Sequence, residues 1–157
     1  HGLANIRMLP YQPRESLRHC LASGDALLIT LADGLAGLSV PSKTYSSLAA
    51  GRPLLFVGDQ RSSVVELIAK HDCGAAIAGG ESEKLAATIS GWAENRAKLV
   101  ALGVAARALF EQRFDRQVAV QGYLRSLSHC FNGNSRRKAK CEDSLPISSV
   151  DAEKSIS

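Results

Sequence analysis

The chain has 157 residues, of which 45% are hydrophobic, 22% charged and 5% aromatic. Those proportions suit one globular domain with a core of Leu, Ala, Val and Ile, and they exclude global disorder. The net charge of +4 is mild. Part of it sits in Arg136, Arg137, Lys138 and Lys140, and elsewhere basic and acidic residues are interspersed. This pattern argues against a nucleic-acid-binding face, so no nucleic-acid partner is expected.

The four cysteines, Cys20, Cys73, Cys130 and Cys141, include no CxxC pair and no Cys/His cluster with zinc spacing. They read as free, buried thiols in a reducing compartment. The longest apolar run, around Ala26 to Leu31, is strand-sized and far short of the ~20 residues of a membrane span. The first residues carry no signal-peptide pattern. The chain opens on His1 and enters a strand-like segment at once, which reads as a fragment beginning inside a longer protein.

Taken in order, Asn5 to Leu9 reads as a short strand ended by Pro10. A helix with Pro13 in its first turn follows to about Ala22, with Leu17, Cys20 and Leu21 on one face and Gly24 as its stop. Ala26 to Thr30 is a continuous apolar run, expected of a strand buried on both faces. A glycine-bearing loop, Asp33 to Pro41, leads to Ser42 as the N-cap of a helix ending at Ala50. Pro53 to Val57 is the next buried strand. Ser62 or Ser63 caps a third helix, and Glu66 stands at capping-box spacing from Ser63. Gly74 to Ala78 makes a fourth strand. A helix from about Ser82 to Ala93 carries Leu85, Ala86, Ile89 and Trp92 as its apolar stripe. Two more helices cover about Arg96 to Gln112 and Asp115 to Leu127. Alternation of strands with single helices gives an α/β fold, a Rossmann-like parallel sheet of about four strands flanked by helices. Residues 132–157, rich in Ser, Lys, Arg, Asp and Glu, read as a disordered tail.

Ligands of an open parallel sheet bind at the carboxyl ends of its strands, which singles out two loops. The first is DGLAGLSVPSK, residues 33–43, where Gly34 and Gly37 permit close backbone approach. The amides of Ser42, Lys43 and Thr44 open a helix there, and the Lys43 charge with two hydroxyls makes the step suitable for a phosphate. By spacing alone the same residues read equally well as a helix cap and a solvated lysine. The second loop, GDQRSS at residues 58–63, could bring Asp59, Arg61 and Ser62 to the same crevice, but reads more readily as a polar turn with a cap. His19, His71 and His129 read as surface or packing residues. The chain has no Ser-His-Asp order, HExxH, GxSxG or Walker-type loop.

The segment VPSKTYSSLAAGRPLLFVGDQRSSVVELI, residues 40–68, resembles the retaining glycosyltransferases of family 4, which have the GT-B fold. It is most similar to the bacterial subgroup of capsule, O-antigen and colanic-acid assembly. The shared pattern is a Pro-Ser-Lys step, a helix ending in Ala-Ala-Gly-Arg-Pro, a strand and a Gly-Asp loop. Pro10-Tyr11-x-Pro13 and the Leu102-Gly103, Ala106-Arg107 and Phe110-Glu111 segments agree, so the resemblance covers about residues 4–127.

It implies that residues 1–131 are part of a nucleotide-sugar-binding domain, the C-terminal half of a GT-B enzyme. Gly37, Ser42, Lys43 and Thr44 would hold the donor diphosphate, and Leu38, Ser39, Val40 and Ser46 the ribose and sugar. Ser46, with Leu38 or Ser39, stands where the family carries paired glutamates, so the ribose contact would differ here. The family's domain begins about two βα units earlier, with a glycine-rich turn and a basic pair, and an N-terminal acceptor domain precedes it. The chain alone would therefore be inactive, and the apolar side of the last helix (Val118, Tyr123, Leu124) would be exposed. The implied reaction is transfer from a nucleoside-diphosphate sugar to a glycan or lipid-linked acceptor with retention. It needs no metal or other cofactor, and the site would be cytoplasmic or peripheral at the inner face of the cell membrane. A sugar-nucleotide 2-epimerase shares the architecture, though no catalytic His with acidic partners stands out here. A non-catalytic nucleotide-binding module is the other alternative.

Overall fold

A computed structural model describes residues 3–128. Three strands, β1 (Leu27–Leu31), β2 (Leu54–Gly58) and β3 (Gly74–Ile77), form a parallel sheet in the order β1-β2-β3. Leu27 stands opposite Leu54 and Leu31 opposite Gly58, while Leu54 stands opposite Gly74 on the other side of β2. Around the sheet lie α1 (Leu17–Ser23), α2 (Lys43–Ala49), α3 (Ser63–His71), α4 (Ser82–Glu94) and α5 (Arg96–Leu109). The fold is α/β and Rossmann-like, as the alternation of elements predicts.

The period-two alternation of side chains divides the core between the two faces. Ile29, Leu54 and Phe56 pack on one face with Leu48 of α2, Val64 and Ile68 of α3, and Ala106 and Leu109 from the end of α5. Leu55 and Ile77 pack on the other with Trp92 of α4 and Leu99 and Leu102 of α5. The central strand β2 is thus buried on both sides, and Phe56 is 0% exposed. α5 runs on into one turn of π-helix, Phe110–Phe114, closed by the Asp115 amide donating to the Phe110 carbonyl at 2.9 Å. This turn brings the Phe114 ring edge-on to Tyr45 of α2, with centroids 5.0 Å apart.

Several expectations are corrected. Asn5 to Leu9 is irregular, so among the described residues the sheet has three strands rather than about four. Its apolar residues Ile6, Met8 and Leu9 are exposed. An extended segment becomes a strand only when a neighbour takes its backbone hydrogen bonds, and this segment does not pair with β1. β1 is therefore an edge strand of the described sheet and is buried on one face only: Ile29 is buried, but Leu28 is 50% exposed. Around Pro13 the chain forms a 3-10 turn, Arg14–Ser16, before α1, and Leu17 and Cys20 are exposed rather than buried. The buried side of α4 is Trp92 with partly covered Leu85; Ala86 and Ile89 face outward. In α3 the cap is Ser62, whose hydroxyl accepts from the Val64 amide at 3.3 Å, so Glu66 falls one residue beyond capping-box spacing. Cys73 is buried and free, and burial pushes its thiol up to about 11.

A second compact unit begins at Arg116, and its described part is one helix, α6, residues 116–128. Val118, Tyr123 and Leu124 of this helix are exposed. His129, Cys130, Cys141, the basic cluster at Arg136 to Lys140 and the expected tail at 132–157 lie outside the described residues. Among the described residues no helix is long and apolar enough to cross a membrane.

Candidate functional site

The parallel order places three loops at the carboxyl edge of the sheet: residues 32–42 after β1, residues 59–62 after β2 and residues 78–81 after β3. The first is long and open. Gly34 and Gly37 both have φ +81°, a region that side chains disfavour, and a Cβ at either would meet nothing within 4 Å. The turn demands these glycines, and no neighbouring protein group crowds them. The amides of Leu38 and Ser39 both donate to the Leu35 carbonyl at 3.1 Å, which folds the loop on itself. Leu38 is 82% exposed, and Val40 and Leu35 are also exposed. The residues expected at a ribose and sugar subsite, Leu38, Ser39, Val40 and Ser46, thus present two exposed apolar side chains and two hydroxyls.

At the start of α2 the geometry is more restricted than the spacing suggests. Ser42 is at the N-cap but has helical angles, φ −58° and ψ −27°, and its hydroxyl makes no capping bond. The Thr44 amide is already taken by the Pro41 carbonyl at 3.0 Å. The Thr44 side chain is 1% exposed, and its hydroxyl is buried without a partner. Ser47 is buried as well and donates to the Lys43 carbonyl at 2.8 Å. Of Ser42, Lys43 and Thr44, the exposed side chains are therefore Ser42 and Lys43.

The second loop is a polar turn with a helix cap, the more readily expected of its two readings, and it is densely hydrogen-bonded. Asp59, whose side chain is 8% exposed, accepts from Arg61 three times. The Arg61 amide and Nε reach Oδ1 at 3.0 Å each, and Nη2 reaches Oδ2 at 2.7 Å. The fork of Arg61 beside Asp59 holds its carboxyl well below the usual carboxylate range, and the Gly34 amide of the first loop adds to this. Asp33 lies close enough to Arg61 to favour its charge, and its carboxylate sits 3.7 Å from where a Cβ on Gly79 would be. Leu31 stands opposite Gly58, so the loops after β1 and β2 leave the sheet side by side. The sequence signal was the Gly58-Asp59-x-Arg61 order, in which Asp accepts from the backbone two residues on.

The third loop is fixed by Glu81, which accepts from the Ala78 amide and from Lys84, both at 3.1 Å. These two donors hold its carboxyl below the ordinary value, the Ala78 amide more strongly. Beside it a small, mainly apolar cleft of 160 Å³ is lined by Val57, Ala78, Gly80, Glu81, Ser82 and Leu85. Among the described residues no hydrogen bond or ion pair joins Lys43 to the Asp59–Arg61 pair. His19 lies on α1 and His71 ends α3. Among the described residues no three His, Cys, Asp or Glu side chains gather as a metal site.

Comparison with known proteins gives two relatives. One is a probable glycosyltransferase, WbjE, of Pseudomonas aeruginosa, 28% identical over 120 residues, which are 76% of this chain and 30% of the relative. The chain is similar to glycosyltransferases. The other relative is the amylovoran biosynthesis glycosyltransferase AmsK of Erwinia amylovora, 28% identical over 118 residues, covering 73% of this chain and 28% of the relative. The chain spans under a third of the length of these two relatives. No family model matches the chain. No solved structure matches it.

Proposed function

We propose that this chain is part of the donor-binding half of a glycosyltransferase of polysaccharide assembly, taking its sugar from a nucleoside diphosphate. The observation that carries the reading is the similarity to two glycosyltransferases over about three quarters of the chain, 76% and 73%. The second of these is named for the biosynthesis of a polysaccharide, amylovoran. The arrangement of the sheet fits the reading, because the Pro41-Ser42-Lys43 step and the Gly34–Gly37 loop stand at the carboxyl edge, where ligands of such sheets bind. The finer assignment is to the retaining family 4 enzymes with the GT-B fold, on the resemblance of residues 40–68. In that assignment the chain alone is inactive, and the rest of a longer protein brings the acceptor site.

In this reading the exposed ammonium of Lys43, the open amides at Ser42 and Lys43, and the flexible backbone at Gly37 receive the diphosphate. Thr44 contributes by fixing the helix from inside, since its amide and side chain are turned to the protein. Leu38, Ser39, Val40 and Ser46 line the neighbouring space for the ribose and the sugar, with no carboxylate among them to grip the ribose diol. As the glycosidic bond to the diphosphate breaks, negative charge grows on the departing oxygens, and fixed positive groups lower the barrier by stabilising it. No metal or other cofactor has a part in this reading. The acceptor is a glycan or a lipid-linked sugar, and the enzyme works in the cytoplasm or at the inner membrane face.

The test is calorimetric titration of the chain with UDP and with GDP. Lys43→Ala should weaken binding by about 1–3 kcal/mol, the range for a charge-assisted hydrogen bond. Unchanged affinity in that variant, or no uptake of either nucleotide by the wild-type chain, would count against the donor site.

A further inference from the structure

A cleft of 410 Å³ opens between the start of β3, α4 and the start of α5. It lies at the amino end of β3, the opposite end of the strand from residues 78–81. Thr88, Gly91, Trp92 and Asn95 line it from one face of α4 and its C-cap, being spaced by three, one and three residues. Asp72, the C-cap of α3, and Lys98, in the first turn of α5, line it from the other elements. A Cβ on Gly91 would meet nothing within 4 Å, so the cleft is open there. Trp92 is 7% exposed and packs in the cluster of Leu55, Ile77, Leu99 and Leu102. A tryptophan so covered usually gives its N–H to an acceptor. Among the described residues the Trp92 indole N–H has no such partner. It is not sealed either, since the fully enclosed polar atoms without partners belong to Thr44, Arg52 and His71. The N–H thus meets solvent where Trp92 borders the cleft. Among the described residues Asp72 and Lys98 form no ion pair. The Asn95 side-chain oxygen accepts from the Lys98 amide at 2.9 Å, which leaves its NH2 group available.

We propose that this cleft is a saccharide subsite that takes one neutral hexose unit of a glycan chain. This rests on the reading of the chain as part of a glycosyltransferase of polysaccharide assembly. Within that reading, the chemistry of the lining selects the ligand. A hexose ring has an apolar C–H side and a rim of hydroxyls that both donate and accept. The cleft answers both needs. The indole supplies apolar contact and one N–H donor, Asp72 accepts, and Asn95 and Lys98 donate. A few convergent polar groups around an apolar floor are what orient a small ligand. One carboxylate against one ammonium leaves no net charge, whereas a diphosphate calls for an excess of positive groups. A hydrocarbon chain would strip water from Asp72, Lys98 and the Trp92 N–H without replacing it, which is costly. The four residues of β3 separate the cleft from the carboxyl edge by about 13 Å. Sugar in the cleft and nucleotide at the edge can therefore be held together, so the subsite grips the glycan beside the place of transfer.

The experiment uses the whole 157-residue chain, in which Trp92 is the one tryptophan. Its indole N–H therefore gives a single peak in a proton–nitrogen correlation spectrum. The probes are maltotriose, cellotriose and lactose, which present glucose and galactose units. At least one should move the indole peak saturably, with a Kd of about 1 mM or tighter. The amides of Gly91 and Asn95 should move with it, and those of residues 34–43 should stay in place. Gly91→Leu fills the cleft from an exposed helix position and should weaken binding about tenfold or more. Asp72 has φ +46°, a backbone conformation that Asn tolerates. Asp72→Asn should therefore fold and weaken binding about tenfold, as the loss of a charge-assisted hydrogen bond does. UDP serves as the control: it should move residues 34–43 and leave the indole peak alone. An indole peak that no saccharide moves overturns the subsite. Saccharide binding that survives both substitutions overturns its placement in this cleft. An indole peak moved by UDP and by none of the saccharides overturns the ligand class. UDP that is silent at residues 34–43 counts against the donor site alone, because the saccharides are read at other residues.

Discussion

The carboxylate of Asp59 accepts most strongly from the Arg61 fork when it is charged, and this ties local structure to pH. Arg61 beside it, first through its side-chain hydrogen bonds, holds the folded-state value well below that of a free aspartate. A group whose value is depressed on folding stabilises the fold above its unfolded value, about 3.9 for aspartate. It loses that contribution as the pH falls below it. Asp59→Asn cannot titrate. The stability gap between wild type and Asp59→Asn should therefore be widest near neutral pH and narrow steadily below about pH 4. Urea unfolding of both proteins at pH 7, 5 and 3 measures it. A gap that stays constant over that range would show that the carboxylate charge adds nothing to folding.

Among the helices, two glycines with the same local preference are expected to respond in opposite directions. Gly91 lies in α4, and a Cβ there would meet nothing within 4 Å. Gly91→Ala should stabilise by roughly 0.5–1 kcal/mol through lower backbone entropy and better helix propensity. Gly103 lies in α5, where a Cβ would stand 2.6 Å from the Gly51 carbonyl oxygen, a backbone atom that cannot swing aside. Gly103→Ala should destabilise by about 1–3 kcal/mol despite the same propensity gain, because overpacking outweighs it. Denaturant melts of the two variants give the signs directly. The contrast also shows what the sequence makes legible. The buried strands and amphipathic helices from residue 26 to residue 109 follow from apolar runs, caps and glycine stops, because these are local signals. That Gly103 faces Gly51, that Ser62 rather than Ser63 caps α3, and that Thr44 turns inward depend on how helices dock. Asn5 to Leu9 matches a strand in its alternation, but nothing in five residues reports whether a neighbour will pair with them. At the site, the glycines and Lys43 are legible as a loop and a cation, whereas the side-by-side exit of the loops after β1 and β2 comes from strand register.

For the molecule as a whole, the described sheet is open at β1. A parallel strand is normally covered on both faces, and here the side of β1 that carries Leu28 and Thr30 is exposed. α2 and α3 lie on the opposite face, and the cluster made by α4 and α5 centres on β2 and β3. The outer backbone edge of β1 has no partner strand in the described sheet. An unprotected edge bearing an exposed apolar side chain invites pairing between chains. Exposed Ile6, Met8, Leu9 and Tyr11 add apolar surface within the same compact unit. Leu28→Lys replaces a half-exposed leucine and leaves the buried Ile29 side untouched. Its cost in stability should be small, within about 0.5 kcal/mol for an exposed position. It should also lower self-association, because a lysine on an edge strand opposes edge-to-edge pairing. Light scattering of wild type and Leu28→Lys across a concentration series, read beside their urea midpoints, tests this. If the lysine costs several kcal/mol, Leu28 is packed in the native protein. If scattering is unchanged while stability holds, the open edge of β1 is not what brings chains together.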